Sequence, residues 1–248
     1  MRAILTYHSI DLSGSPISLS PAAFHRQIRH AVSAGIRIVS MGDLLSGDET
    51  DADTVALTFD DGYVNVAQEA MPLLVELGLP ATIFVPTAFV GKSSEWARQD
   101  RHRTPELPLL DWDSLGAMSA QGMTIASHTR THRRLTQLSR DQLVDEIAGA
   151  ARDIAQRLGL TADGLAYPYG AVSEPVVRAA AGVHRWACTT SFGELRTDPA
   201  FALPRLDMWY FEQPGRFERW GTPWFRRWVR RRHRLRRTRA AVERFVPR

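Results

Sequence analysis

The stretch LTFDDGY, Leu57–Tyr63, runs an apolar segment into two adjacent aspartates and a glycine. Its first half reads as the end of a buried strand, and the apolar run predicts a strand over Thr54–Phe59. Two carboxylates crowded at a strand end repel each other, and one has its pKa raised unless a cation intervenes. A second stretch bears on that conflict. SHTRTH, Ser127–His132, also follows an apolar run, Met123–Ala126, and carries two histidines four residues apart. Such a pair converges on one metal if the segment is helical or tightly turned. Imidazole suits Zn²⁺, and one carboxylate would complete a facial set. One of Asp60 and Asp61 can then bind the metal while its neighbour acts as a base, the cation keeping both ionised near neutral pH. Taken singly, Asp-Asp-Gly is most often a turn, and two histidines four apart are more often a solvated helix face. Together, each at a strand end, they favour a metal site.

Outward from these two stretches, apolar runs alternate with segments of helical period. Further strands are expected at Ala3–Tyr7, Ile36–Val39, Ala81–Val85, Leu165–Tyr167, Trp186–Thr189 and Leu203–Leu206. Ser20-Pro21 starts a helix that Gly35 ends. Val64–Leu77 reads as one amphipathic helix kinked at Pro72. Ser114–Ala120 reads as a short helix, and Ser139 with Gln142 forms a capping box for a long one through Leu158. This β–α alternation argues for parallel strands with crossover helices, in a barrel or a doubly wound sheet. Gly91–Pro108 is a polar excursion, the length of a long βα loop. In a barrel such loops build the active-site face, and both singled-out stretches belong there.

TFDDGY (58–63), SHTRTHRRL (127–135) and AYPYG (166–170) resemble the first three motifs of the polysaccharide deacetylases, the carbohydrate esterase family four or NodB-like domains. LLDWDSL (109–115) resembles the segment in which many members place a tryptophan. Order and spacing fit from about Ala3 to Asp207. The resemblance implies an α/β fold, a distorted (β/α)₇ barrel. It implies Asp60 as general base, with Asp61, His128 and His132 as metal ligands. It also implies an oxyanion held by the metal and the backbone N–H of Tyr169. The activity implied is removal of N-acetyl groups from an N-acetylated saccharide, with Zn²⁺, Co²⁺ or Ni²⁺ bound.

Two departures stand out. Many members open the third motif with an arginine that orients the base; here that position is Ala166. Arg205, in LPRLD (203–207), is a candidate replacement, and a surface charge is an equal reading. The late Leu-x-His motif, whose histidine protonates the leaving amine, is also missing. LTYHSI (5–10) resembles the start of the poly-N-acetylglucosamine deacetylase subgroup, in which a histidine from the first strand fills that role. His8 fits it.

The chain has 248 residues, 44% of them apolar, which suits one large domain or two small ones. Cys188 is the single cysteine, so an intrachain disulfide framework is excluded. No window has the apolar length of a secretory signal or a membrane span. Read as a natural start, Met1 gives a cytoplasmic protein; a chain whose leader had been removed would read the same.

Charge divides the chain at about residue 215. Residues 216–248 hold 13 Arg and 2 Glu, a net +11, so the +4 of the whole leaves −7 for residues 1–215. The expected organisation is a catalytic domain over 1–215 and an Arg-rich amphipathic helical tail over 216–248. Trp224, Phe225, Trp228, Val229 and Leu235 recur there at helical spacing. A terminal helix packed on the barrel is one reading, and a peripheral helix on an anionic membrane surface, at the inner face, is another. Nucleic acid ranks well behind both, since no binding module for it accompanies the run. For the domain itself, a deformylase or amidase acting on a lipid-linked sugar or a non-sugar amide is the alternative enzyme. A catalytically impaired carbohydrate-binding module is the non-enzymatic one.

Overall fold

The computed structural model describes residues 1–47, 53–99 and 104–245. Residues 100–103 of the polar excursion and 246–248 of the tail lie outside them. In chain order the elements are β1 (Arg2–Tyr7), β2 (Ser9–Ile10), β3 (Ser18–Leu19), α1 (Pro21–Ser33), β4 (Arg37–Ile38), α2 (Met41–Ser46), β5 (Thr54–Phe59), α3 (Met71–Glu76), β6 (Thr82–Val85), α4 (Trp112–Ala120), β7 (Thr124–Ser127), α5 (Arg140–Leu158), β8 (Gly164–Ala166), α6 (Glu174–Ala181), β9 (Trp186–Phe192), β10 (Leu203–Asp207) and α7 (Pro223–Phe245).

Among the described residues seven parallel strands close a ring in the order β1, β5, β6, β7, β8, β9, β10 and back to β1. This is the expected (β/α)₇ barrel. β4 stays outside the ring, pairing with Thr54 and Val55 at the start of β5, while β6 pairs with Thr58 and Phe59 at its end. The ring is distorted at two seams. β7 and β8 share a single register pair, Ser127 with Leu165, and the β9–β10 register shifts between Leu203 and Arg205.

Strand side chains alternate between two layers, as the period of two requires. Ile4, Ala56, Phe84, Ala126, Ala166, Cys188 and Leu203 pack together inside the ring. Leu5, Tyr7, Val55, Leu57, Phe59, Ile83 and Val85 pack outward, in one core with Phe24 and Ile28 of α1 and Leu115 of α4. On the other side, Leu165 and Ala187 meet Leu143 and Ile147 of α5 and Val176 and Ala180 of α6. Continuing the inward parity past the strand ends brings His8, Asp60 and His128 toward the barrel axis.

Local chemistry accounts for the helix boundaries. Ser20 Oγ accepts from Ala23 N, with Pro21 at the first helical position. α5 has its capping box and ends at Gly159 in the left-handed region (φ 68°). The expected Val64–Leu77 helix is present and runs unbroken through Glu76, with a π turn over Val66–Ala70 inside it. Pro72 lacks an N–H and lies directly after the π turn, the kind of local irregularity at which a helix accommodates a proline. α2 and α6, of six and eight residues, were not anticipated. α7 seats Phe225 and Val229 in the core. Trp228 lies with its ring centroid 5.0 Å from that of Phe211.

Candidate active site

The residues singled out in the sequence gather at the C-terminal ends of the barrel strands, the end where βα loops form a site. His8 follows β1, Asp60 and Asp61 follow β5, His128 follows β7, Tyr169 follows β8, and Arg205 lies within β10. His132 completes the loop after β7.

Asp61 faces both histidines. Its Oδ1 lies 3.4 Å from His128 Nε2 and 3.3 Å from His132 Nε2, and all three side chains are buried. That oxygen has no hydrogen-bond partner, an uncommon state for a buried carboxylate. The inner ring nitrogens are engaged elsewhere: His128 Nδ1 lies 2.8 Å from the Ala166 carbonyl, and His132 Nδ1 lies 3.2 Å from Tyr169 Oη. Both Nε2 atoms are thereby directed at Asp61, the arrangement that outer partners impose on metal-ligating imidazoles. The three donor atoms lie within 4.8 Å of one another. Burial opposes ionisation of Asp61, but the two imidazoles outweigh it and hold the carboxyl well below the usual range.

Asp60 turns to the opposite side. Arg205 Nη1 and Nη2 donate to its Oδ1 and Oδ2, each at 2.7 Å, and Arg205 Nε donates to the Thr189 carbonyl at 3.0 Å. Burial opposes ionisation here too, and Arg205, with help from His8, keeps the Asp60 carboxyl below its ordinary value. β1 and β5 run in register through Tyr7 and Phe59, so His8 and Asp60 are the next neighbours across the pair. His8 Nε2 lies 3.7 Å from Asp60 Oδ2.

The backbone at the site is unusual. Asp61 (φ 69°), Thr129 (φ 67°), His132 (φ 56°) and Tyr169 (φ 59°) are the non-glycine residues with positive φ among those described. Each such residue costs on the order of 1–3 kcal/mol and persists only where its surroundings impose it. Gly62 (φ 69°) continues the turn after Asp61, and a Cβ there would come within 3.1 Å of Val85. The histidine segment is therefore a tight turn, not a helix. α5 holds it: Glu146 Oε2 accepts from the N–H groups of Arg130 (3.0 Å) and Thr131 (2.9 Å), and Oε1 from the Thr131 hydroxyl. Arg130 then lies along α5 on Asp145 and Asp153, over Gly149, where a Cβ would collide with it at 2.5 Å.

Four residues of the site escaped the sequence reading. Tyr63 is buried, and its phenol hydrogen-bonds with Asp61 and Ser94. Burial and the Asp61 charge raise its pKa well above the ordinary value, so it stays a donor. Its position in LTFDDGY was the available signal. Trp96, the tryptophan of the polar excursion, stacks on His132 at 4.5 Å between centroids. Asp207 adjoins His8 in a cleft also lined by Thr6, Thr190 and Arg236, and burial raises its carboxyl pKa against the pull of His8 and Arg236. Glu146 carried no signal beyond being an acid on the buried stripe of a helix.

The family model described as polysaccharide deacetylase matches residues 47–184. This range contains Asp60, Asp61, His128, His132 and Tyr169, whereas His8 and Arg205 lie outside it. Over 209 residues the chain is 28% identical to YxkH of Bacillus subtilis (strain 168), which is named after the same family; the match covers 82% of this chain and 70% of that protein. The structure is similar to the Streptococcus pyogenes deacetylase PplD in complex with acetate, with a TM-score of 0.72 and 25% identity, covering 83% of this chain and 91% of that one. It shares its fold with IcaB from Ammonifex degensii, with a TM-score of 0.73 and 23% identity over 84% and 94% of the two chains.

Proposed function

Because the chain belongs to the polysaccharide deacetylase family, we propose that it hydrolyses the N-acetyl amide of an N-acetylated saccharide with the help of a divalent metal. The observation that carries this reading is the buried, unpartnered Asp61 Oδ1 with two imidazole Nε2 atoms aimed at it. Two nitrogens and one carboxylate oxygen fit Zn²⁺ and would also take Co²⁺ or Ni²⁺. A cation held by Asp61, His128 and His132 supplies Lewis acidity, which lowers the pKa of water and polarises the amide carbonyl.

The remaining chemistry belongs to side chains of the chain itself. Asp60 accepts the proton of the attacking water, its two oxygens fixed by the Arg205 fork. Arg205 thus takes over the orienting role left open at Ala166. The Tyr169 backbone N–H hydrogen-bonds the developing oxyanion, and one such donor contributes about 3 kcal/mol in other enzymes. As the C–N bond breaks, His8 gives a proton to the departing nitrogen, which leaves as the sugar amine; the acyl carbon, with the water oxygen, leaves as acetate.

The test is acetate release from a panel of N-acetylated oligosaccharides by the full chain loaded with Zn²⁺, Co²⁺ or Ni²⁺. Metal-dependent release supports the proposal. Release of formate from N-formyl sugars without acetate release would move the activity to a different acyl group. A metal-loaded protein that releases no acetate from any of them contradicts the proposal.

A further inference from the structure

The site leaves one prominent feature unused, the basic helix α7. Its inner side is fixed to the barrel. Phe225 and Val229 are buried, Arg232 lies 3.9 Å over the Tyr210 ring, and His233 Nδ1 lies 2.7 Å from the Phe192 carbonyl. Arg236 Nη1 lies 3.9 Å from Asp207, which joins this helix to the cleft beside His8. Its outer side is different. Arg227, Arg230, Arg231 and Arg234 are exposed at spacings of three, four and seven residues, which puts them on one stripe. Among the described residues none of these four has an ion pair with a carboxylate. The helix has no acid from Pro223 to Arg236. Trp224 is 36% exposed at the start of the helix, and Trp209 is 37% exposed on the turn after β10, next to Tyr210.

We propose that the outer face of α7 is a docking surface for anionic lipid, with the arginine stripe on the headgroups and Trp224 at the interface. Charge segregation favours this orientation. Residues 1–215 carry −7 and residues 216–248 carry +11, so a negative surface attracts the helix and repels the remainder of the chain. Indoles beside a cationic helix face match the boundary between headgroups and acyl chains. Single-stranded nucleic acid would instead stack bases on aromatic rings. The Trp224 ring is already engaged by Trp228, at 6.4 Å, and by the Arg219 guanidinium, at 4.6 Å. No helix among the described residues is long and apolar enough to cross a membrane. α7 adjoins the mouth of the cleft through Arg236.

Each arginine at an anionic surface contributes on the order of a fivefold gain in binding, so four give roughly several hundredfold. The experiment is flotation of the full chain with phosphatidylcholine vesicles, with and without 30% phosphatidylglycerol, at low and high salt. The expected result is recovery with the anionic vesicles only, lost at about 1 M salt, where the Debye length falls to about 3 Å. The variant R227Q/R230Q/R231Q/R234Q should keep the melting temperature and acetate release of the parent and lose flotation. Equal recovery on neutral vesicles, undiminished flotation of the variant, or release from the vesicles by an equal mass of single-stranded DNA overturns the proposal. The last of these would assign the face to nucleic acid.

Discussion

Both terminal nitrogens of Arg205 lie 2.7 Å from the two oxygens of Asp60, across 145 residues of sequence. The pair is buried, and its geometry is the parallel fork that guanidinium and carboxylate form best. The fork leaves Asp60 little rotational freedom and points it away from Asp61. Two adjacent carboxylates thus face separate partners, Arg205 for one and the histidine pair for the other.

Arg205→Lys tests the orienting role. Lysine cannot engage both oxygens. With the base displaced by about 1 Å, kcat should fall on the order of 10²-fold while KM and bound metal hold. Arg205→Ala should also lower stability by about 3–5 kcal/mol, because it leaves a buried carboxylate without its partner. A lysine variant with parental kcat would show that the fork does not set the position of the base.

His8→Ala addresses the leaving group. Loss of a general acid costs about 10²–10⁴-fold on an amide, whose nitrogen must be protonated to depart. An activated acetate ester, whose leaving group departs without a proton, should be cleaved by the variant nearly as fast as by the parent. Equal losses on both substrates would give His8 a structural role instead.

How much of this was legible in the sequence follows from how local each feature is. Thr54–Phe59 was readable to the residue, because an apolar run ending in polar residues is a local signal. Asp60, Asp61, His128 and His132 were readable because each sits one to six residues past such a run. The Asp60–Arg205 pair was legible only as an even choice, since strand order, not sequence, brings β5 and β10 into one ring. The positive φ of Asp61 and His132 was not legible, because Asp and His visit that region more often than most residues but still adopt it only in a small minority of positions. Nor was Glu146: its three acceptor bonds reach a loop fifteen and sixteen residues away, and a helical acid reads as solvated by default. α2 and α6 are too short for helical period to separate them from a turn.

Glu146→Ala should loosen the histidine turn. It strands two backbone N–H groups and costs about 3 kcal/mol in thermal unfolding. Because the turn positions both imidazoles, Zn²⁺ affinity should fall about 10–100-fold, measured by competition with a chelating dye. Glu146→Gln, which keeps an acceptor oxygen, should retain more of both. Unchanged Zn²⁺ affinity in the alanine variant would detach the turn from metal binding.

The division of labour between the adjacent aspartates is the centre of the account, and one paired measurement reaches it: bound Zn²⁺ and acetate release for Asp60→Asn and Asp61→Asn beside the parent. Asp60→Asn should bind metal as the parent does and lose about 10²–10⁴-fold in turnover. Asp61→Asn should lose both metal and turnover. An Asp60→Asn protein that deacetylates at the parental rate, or an Asp61→Asn protein that retains its metal, would contradict the account.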